Sequence, residues 1–156
     1  MSMELYVFSD TQLASIAAWQ QAIDAAGFPL RLSAVRPFAE LSGVLPVQLN
    51  DRQTAFECDH WDADDQEDII ETYDDVDFGR RWKYLLAFCW TGNPYEGIAA
   101  YMASSAYAKA TDGIVFDCEE GKIISPERAG EVAGEIERQI PLIEEAMRRM
   151  REKFRE

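Results

Sequence analysis

The sequence predicts an α+β fold in a single domain, and three features of the 156-residue chain support this. Hydrophobic residues make up 47% of the chain, close to the average for globular proteins, so one sizeable core is available. Short apolar runs rich in strand formers alternate with segments of helical spacing. Glycine and proline separate these segments without a long linker or a repeat. We therefore expect a mostly antiparallel sheet of about five or six strands, two helices packed on it and a C-terminal helix alongside.

The beginning of the chain predicts a strand followed by a helix. The run 4–8 is apolar and contains good strand formers. Helical spacing follows over 10–26, where Ser9 and Gln12 have the spacing of a capping box and Asp10 is an equally good N-cap. A glycine and a proline directly after this segment would end the helix.

The next part of the chain carries weaker signals. Residues 30–33 are predicted to form a second strand, and residues 34–50, interrupted by prolines and a glycine, are predicted to be irregular. Residues 53–58 alternate weakly, which favours a strand. The spacing of Ile69, Ile70 and Tyr73 indicates one short helix further on.

The segment 82–90 is the clearest strand, and a helix over 94–110 follows it. Asn93 is a good N-cap, Pro94 suits the first helical position, and Glu96 is placed to reach back to the cap. The helix is rich in alanine, which permits close approach to a sheet. Alternation puts five large side chains on one face of the strand, where a core role is expected: Trp82, Tyr84, Leu86, Phe88 and Trp90.

The last part of the chain predicts a hairpin and a long helix. Residues 114–117 and 122–125 would pair around a turn, and Ser125 precedes a helical region over 126–156. Apolar residues recur there at a spacing of four and three, while Pro141 predicts either a kink or two helices end to end. The order of the elements also permits a ferredoxin-like split β-α-β arrangement.

Charge is distributed very unevenly along the chain. The net charge is −14, and most of the excess lies in residues 57–77, which contain 11 acidic residues and no lysine or arginine. We call residues 57–77 the acidic segment. The electrostatic field of so many negative charges repels nucleic acid and anionic membranes and attracts basic proteins or cations. The basic residues Arg80, Arg81 and Lys83 follow immediately and offer a second interpretation, in which they pair with these acids.

The sequence contains few residues or motifs that are typical of catalytic sites. His60 is the only histidine, and its acidic neighbours favour the protonated form, which is a poor base near neutral pH. Cys58, Cys89 and Cys118 lack the spacing of a disulfide framework or a zinc site, so reduced thiols are expected. No phosphate-binding loop or dinucleotide fingerprint is present. We predict no enzymatic activity and no cofactor, although pairs of carboxylates on separate elements cannot be identified from sequence.

A specific metal site is not predicted either. An EF-hand loop beginning at Asp62 would need glycine at its sixth position and glutamate at its twelfth, but Glu67 and Tyr73 occupy them. The segment is interpreted as a solvated acidic loop. Oxygen and nitrogen ligands for loosely bound cations are nevertheless numerous there: Glu57, Asp59, His60, Asp62, Asp64 and Asp65.

One stretch of the sequence is similar to a known group of proteins. It contains Ala106-Tyr107-Ala108, the run from Ala110 to Asp117, Glu120-Gly121 and the run from Ser125 to Ala129. Residues 101–129 resemble small uncharacterised bacterial proteins, some of which are grouped with immunity proteins of polymorphic or contact-dependent toxin systems. The resemblance implies a helix-turn-hairpin pattern and a role in toxin binding, and no functional residue is carried over from it. The acidic segment agrees independently, since immunity proteins against basic nuclease toxins are often acidic.

The sequence thus predicts a non-catalytic, acidic immunity protein that occludes a basic partner such as a bacterial toxin domain. The alternative is a carboxylate- or metal-dependent hydrolase. Binding of nucleic acid or membrane is not expected, and the C-terminal helix offers a surface for a homodimer. The start of the chain lacks a basic flank and a long apolar run, which favours a cytoplasmic location.

Trp61 is either an interface anchor or folded back on the domain. The partner-binding residues are predicted to be largely exposed, and they are Asp59, His60, Trp61, Asp62, Asp64, Asp65, Glu67, Asp68, Glu71, Asp74 and Asp75.

Overall fold

The computed structural model describes residues 2–155 and places seven strands in one antiparallel sheet. This confirms the α+β class, with more strands than expected; Met1 and Glu156 lie outside the described residues. The strands are β1 (Met3–Ser9), β2 (Leu30–Leu32), β3 (Val44–Leu49), β4 (Arg52–Trp61), β5 (Tyr84–Trp90), β6 (Ile114–Asp117) and β7 (Lys122–Ile124). The helices are α1 (Ile16–Ala25), α2 (Ala63–Thr72), α3 (Pro94–Thr111) and α4 (Pro126–Arg155).

The strands follow the order β2-β3-β4-β5-β1-β6-β7. Every neighbouring pair is antiparallel, so β5 and β6, which flank β1, run parallel to each other. Helix α3 connects them and makes a split β-α-β unit. The four central strands, β4-β5-β1-β6, have the order of the ferredoxin-like arrangement that the sequence permits, with β2, β3 and β7 added at the edges.

One face of the sheet is covered by α1 and α3. Helix α3 is buried on most of its surface because its alanines let it approach both the sheet and the neighbouring helices. Trp19 of α1 fills the centre of this layer, where its ring meets Phe38, Phe88 and Tyr107 edge to face. This face holds the larger of two hydrophobic clusters.

The opposite face is covered by α2 and the chain that follows it. Alternation along β1 turns Leu5 and Val7 towards α3 and turns Tyr6 and Phe8 towards α2. Ile69 of α2 and Phe78 join Tyr6 and Phe8 in the second cluster. The interpretation of the acidic segment as a solvated loop is therefore wrong, because its apolar residues close one side of the core.

Helix α4 packs chiefly on α3, and its main contact with the sheet is at β6. The apolar spacing of this helix predicts that its first half, through Ile140, packs on the sheet. This prediction is wrong, because Ala129 and Ala133 give α4 a small, fully buried face that fits against α3. The helix continues through Pro141 as one element, so the alternative of two helices end to end is also wrong. A proline in a helix removes one backbone hydrogen bond, and Pro141 is exposed where that loss is least costly.

Helix α1 begins later than the sequence predicts. It starts at Ile16, where the Ser15 hydroxyl accepts a hydrogen bond from the Ala18 N–H at 3.0 Å. The predicted cap Ser9 is the buried end of β1, and its hydroxyl donates to the carbonyl of Thr11. Asp10 pairs with Arg80 at 2.5 Å and caps nothing.

Two further differences lie in the strands. Residues 44–49, predicted to be irregular, form β3, and β4 extends to Trp61. Strand β5 begins at Tyr84, so Trp82 lies outside the strand and Tyr84 is partly exposed. The predicted core stripe therefore holds only for Leu86, Phe88 and Trp90.

Replacing Asp112 with glycine is expected to raise the free energy of unfolding by about 0.5–1 kcal/mol. Asp112 ends α3 in the left-handed conformation, with φ 53° and ψ 40°, which costs a residue with a Cβ more than it costs glycine. Urea denaturation followed by circular dichroism measures the change, with Asp112→Ala as the control that keeps the Cβ. A gain in both variants, or a loss in the glycine variant, would contradict a role for backbone strain.

Candidate partner-binding surface

The outward face of α2 carries a line of carboxylates. Gln66 and Ile69 face inward and are buried, while Asp64, Asp68 and Glu71 follow at intervals of four and three on the opposite side. All three acidic residues are exposed. The inward apolar contacts hold the helix on the sheet and thereby fix the direction in which its acids point.

Two carboxylates at the start of α2 have a structural role. The Asp62 side chain accepts the Asp65 N–H at 2.9 Å, and the Asp65 side chain accepts the Asp62 N–H at 2.9 Å. This is a reciprocal capping box, and the hydrogen bond from the Asp65 N–H is the main cause of the lowered pKa of Asp62. Asp62 and Asp65 are therefore explained by the stability of the helix.

The carboxylates at the other end of α2 have no such explanation. Glu71 lies in the last turn, which contains no basic residue, and Asp74 and Asp75 follow directly and are exposed. Negative charge at a helix C-terminus opposes the macrodipole and costs stability. We call Asp64, Asp68, Glu71, Asp74 and Asp75 the acidic face.

The basic residues after the acidic segment neutralise little of it. Arg81 pairs with Glu67, which removes Glu67 from the set of unpaired candidates. Arg80 instead pairs with Asp10 and stacks over the ring of Trp82 at 3.9 Å. The second interpretation, that these bases pair with the acidic segment, therefore holds for Arg81 but not for Arg80.

The three predicted partner residues on β4 do not join the acidic face. Asp59 accepts hydrogen bonds from the Ser42 hydroxyl and the Gly43 N–H, both at 2.9 Å, and so holds a loop. His60 lies on the α3 side of the sheet, where its Nε2 is 2.8 Å from the carbonyl oxygen of Phe38. Trp61 is on the α2 side and packs on Tyr6, with ring centroids 5.2 Å apart, so it folds back on the domain.

Distant parts of the chain extend the negative surface. Burial raises the pKa of the Tyr73 hydroxyl, and the nearby carboxylates of Glu4 and Glu119 raise it further. The Glu119 carboxylate also accepts the Glu4 N–H at 3.3 Å. Pairing of β1 with β6 brings these two acids together, and Tyr73, at the end of α2, contacts Phe116 of β6 with ring centroids 4.7 Å apart. Only strand pairing reveals this extension, since the residues are far apart in sequence.

The cysteines agree with the prediction of reduced thiols. All three are free, and Cys58 is buried, which raises the pKa of its thiol. Burial also raises the pKa of Cys118 to about 12. A thiol held in its neutral form is a poor nucleophile.

A second group of acids, which shares Glu119 with the first, lines a small cavity beside α3 and α4. The cavity has a volume of about 280 Å³ and is bounded by Trp90, Tyr101, Asp117, Glu119 and Glu120 among others. Burial raises the pKa of the Asp117 carboxyl. Its oxygens accept the Tyr101 hydroxyl and the Glu119 N–H, both at 2.9 Å.

Within residues 2–155, no three histidine, cysteine or acidic side chains are grouped closely enough to hold a metal ion. Over the same range, no helix combines the length and the apolar character that a membrane span requires. Comparison of the chain with protein-family models, with curated proteins and with solved structures finds no match.

Proposed function

We propose that this protein is an acidic binding protein that neutralises a basic partner by occluding it, as an immunity protein does with a toxin domain. The observation that supports this proposal is the position of Glu71, Asp74 and Asp75. These acids are exposed at the C-terminal end of α2, where they oppose the helix dipole. A cluster that destabilises the free protein is typical of a surface selected for binding.

Electrostatics explains how such a surface would act. Lysine and arginine side chains of a partner would relieve the repulsion among the carboxylates of the acidic face. They would also place positive charge at the C-terminal end of α2, where the helix dipole favours it. The acids of β1 and of the β6–β7 turn, Glu4 and Glu119, widen the field that steers the partner. Because α2 is packed against the sheet, the acidic face points in a fixed direction and would set the orientation of the bound partner.

The alternative function is a carboxylate-dependent hydrolase acting at the cavity around Asp117. Its raised pKa and the adjoining Glu119 and Glu120 favour that interpretation. However, Asp117 is 1% exposed and both of its oxygens are engaged, one by the Glu119 N–H in the β6–β7 turn and the other by the Tyr101 hydroxyl of α3. Since these hydrogen bonds explain the residue structurally, we favour the binding function.

Reversing the charge of Asp68, Glu71 and Asp75 to lysine is expected to weaken partner binding by about a hundredfold. The free energy of unfolding is expected to stay the same or rise, because lysine suits the C-terminal end of a helix. The class of partner to test is a basic toxin domain, and the genes beside this one are the first place to search for it. Calorimetry measures the affinity, and bacterial growth during co-expression measures neutralisation.

A matched control carries the same change in net charge at exposed acids elsewhere, with Glu40, Asp51 and Glu137 replaced by lysine. This variant should retain most of the affinity. Equal weakening in both triple variants would show that only overall charge matters and would overturn the proposal. Asp62 and Asp65 are left unchanged, because their loss would unfold the start of α2 and mix folding with binding.

A further inference from the structure

Helix α4 is covered along one half and uncovered along the other. Ala129, Ala133 and Ile140 are buried against the rest of the domain. Beyond Ile140 the exposed fraction rises to 54% for Met147 and 84% for Phe154. We call residues 142–155 the α4 overhang; at 1.5 Å per residue it is about 20 Å long.

The overhang has the apolar spacing of a coiled coil. Ile136 and Ile140 begin a stripe with alternating intervals of four and three, and α3 covers this part. The same stripe continues without a break through Ile143, Met147, Met150 and Phe154. A two-stranded coiled coil buries this a/d pattern against a helix of the same kind.

The charges beside the stripe select the partner and its direction. Acidic residues lie at the domain end of the overhang, including Glu144 and Glu145, and basic residues lie at the far end, including Arg151 and Lys153. A second copy running antiparallel sets each acidic end beside a basic end. A parallel copy would instead set the basic ends side by side, which costs binding energy.

We propose that two copies of this protein associate through antiparallel α4 overhangs, with Met147 of one copy opposite Met150 of the other. In this register Glu144 and Arg151 flank the stripe and face each other across the pair, twice by symmetry. Glu144 accepts the Tyr95 hydroxyl at 2.9 Å, a neutral donor that leaves its charge available. The two domains would lie at opposite ends of the helix pair.

The arrangement keeps the acidic faces free. Helix α4 packs on α3, and α2 lies on the other side of the sheet. The dimer would therefore present two acidic faces, one on each copy. Its formation does not depend on the proposed function, because association is measured on the protein alone.

Sedimentation velocity of the full chain over a wide range of concentration tests the proposal. The wild type is expected to show a monomer–dimer equilibrium, and Met147→Lys combined with Met150→Lys is expected to be monomeric, with its circular dichroism spectrum confirming that the domain is folded. A wild type that is monomeric at all concentrations would overturn the proposal. Binding of a monomer to vesicles of anionic lipid through the same stripe would also overturn it.

Charge exchange tests the direction of the helices. Glu144→Arg and Arg151→Glu are each expected to weaken self-association about tenfold, since both contacts become repulsive. An equimolar mixture of the two variants should restore the affinity as a heterodimer, as should the variant with both changes. Tyr95→Phe controls for the lost hydrogen bond. A dimer that neither variant weakens, or that mixing fails to restore, would contradict the antiparallel register.

Discussion

Replacing Trp19 with alanine is expected to lower the free energy of unfolding by about 4 kcal/mol. The side chain is fully buried, and its ring meets Phe38, Phe88 and Tyr107 edge to face. Its Nε1–H donates to the carbonyl oxygen of Ala103 at 3.0 Å. The residue therefore joins α1, α3 and the sheet, and truncation leaves a cavity at the point where these three elements meet.

Trp19→Phe separates the packing from the hydrogen bond. Phenylalanine fills much of the space but has no N–H, so a loss of about 2 kcal/mol is expected. Urea denaturation followed by far-ultraviolet circular dichroism measures both variants. If the alanine variant lost less than the phenylalanine variant, the site would tolerate collapse and the central role of Trp19 would be refuted.

The elements that the sequence predicts best are those with strong local signals. Asn93 caps α3 and Pro94 occupies its first turn, and the Ser125 hydroxyl accepts the Arg128 N–H at the start of α4. These interactions involve neighbours in the chain, so they can be recognised from spacing. The start of α1 could not be recognised in this way, because Ser9 has the right spacing but is drawn into the buried end of β1.

Strand β3 is not predicted from the sequence because Pro46 is typical of a strand breaker. In the sheet, the Pro46 carbonyl accepts the N–H of Ser33, the residue directly after β2. The N and the carbonyl of one residue point to the same side of a strand, so the missing N–H of Pro46 faces the point where β2 has ended. The proline costs little there, which only the pairing of the strands reveals.

The candidate surface could be predicted in part for a similar reason. Composition identifies an acidic segment, and the exposure of Asp68, Glu71 and Asp75 follows from it. Composition does not reveal that β4 continues to Trp61, and strand alternation then sends His60 to the opposite face. The difference between a helix and an extended strand within one charged segment depends on tertiary contacts.

Replacing Asp117 with alanine is expected to lower the free energy of unfolding by about 3 kcal/mol. The Tyr101 hydroxyl and the Glu119 N–H would both lose their acceptor in a buried place. Asp117→Asn is the matched control, because its amide oxygen can accept the N–H while its amide nitrogen donates to the tyrosine oxygen. The asparagine variant should fold with near wild-type stability, and a hydrolase would lose its activity in both variants.

The pH dependence of stability distinguishes the charged residue from its neutral replacement. Burial raises the pKa of Asp117 in the folded protein above the ordinary value of 3.8, and the hydrogen bonds from Tyr101 and Glu119 offset this only in part. The folded carboxyl therefore holds its proton more tightly than the unfolded one, and stability falls as the pH rises from 3.8 through the raised pKa. The asparagine variant has no such proton, so the stability of wild type minus that of Asp117→Asn is expected to decrease over this interval and stay constant above it. Taking the difference cancels the acids with lowered pKa values, such as Asp62 and Glu135, which lose stability as the pH falls. A difference that stayed flat or increased with pH would show that the hydrogen bonds outweigh burial at Asp117.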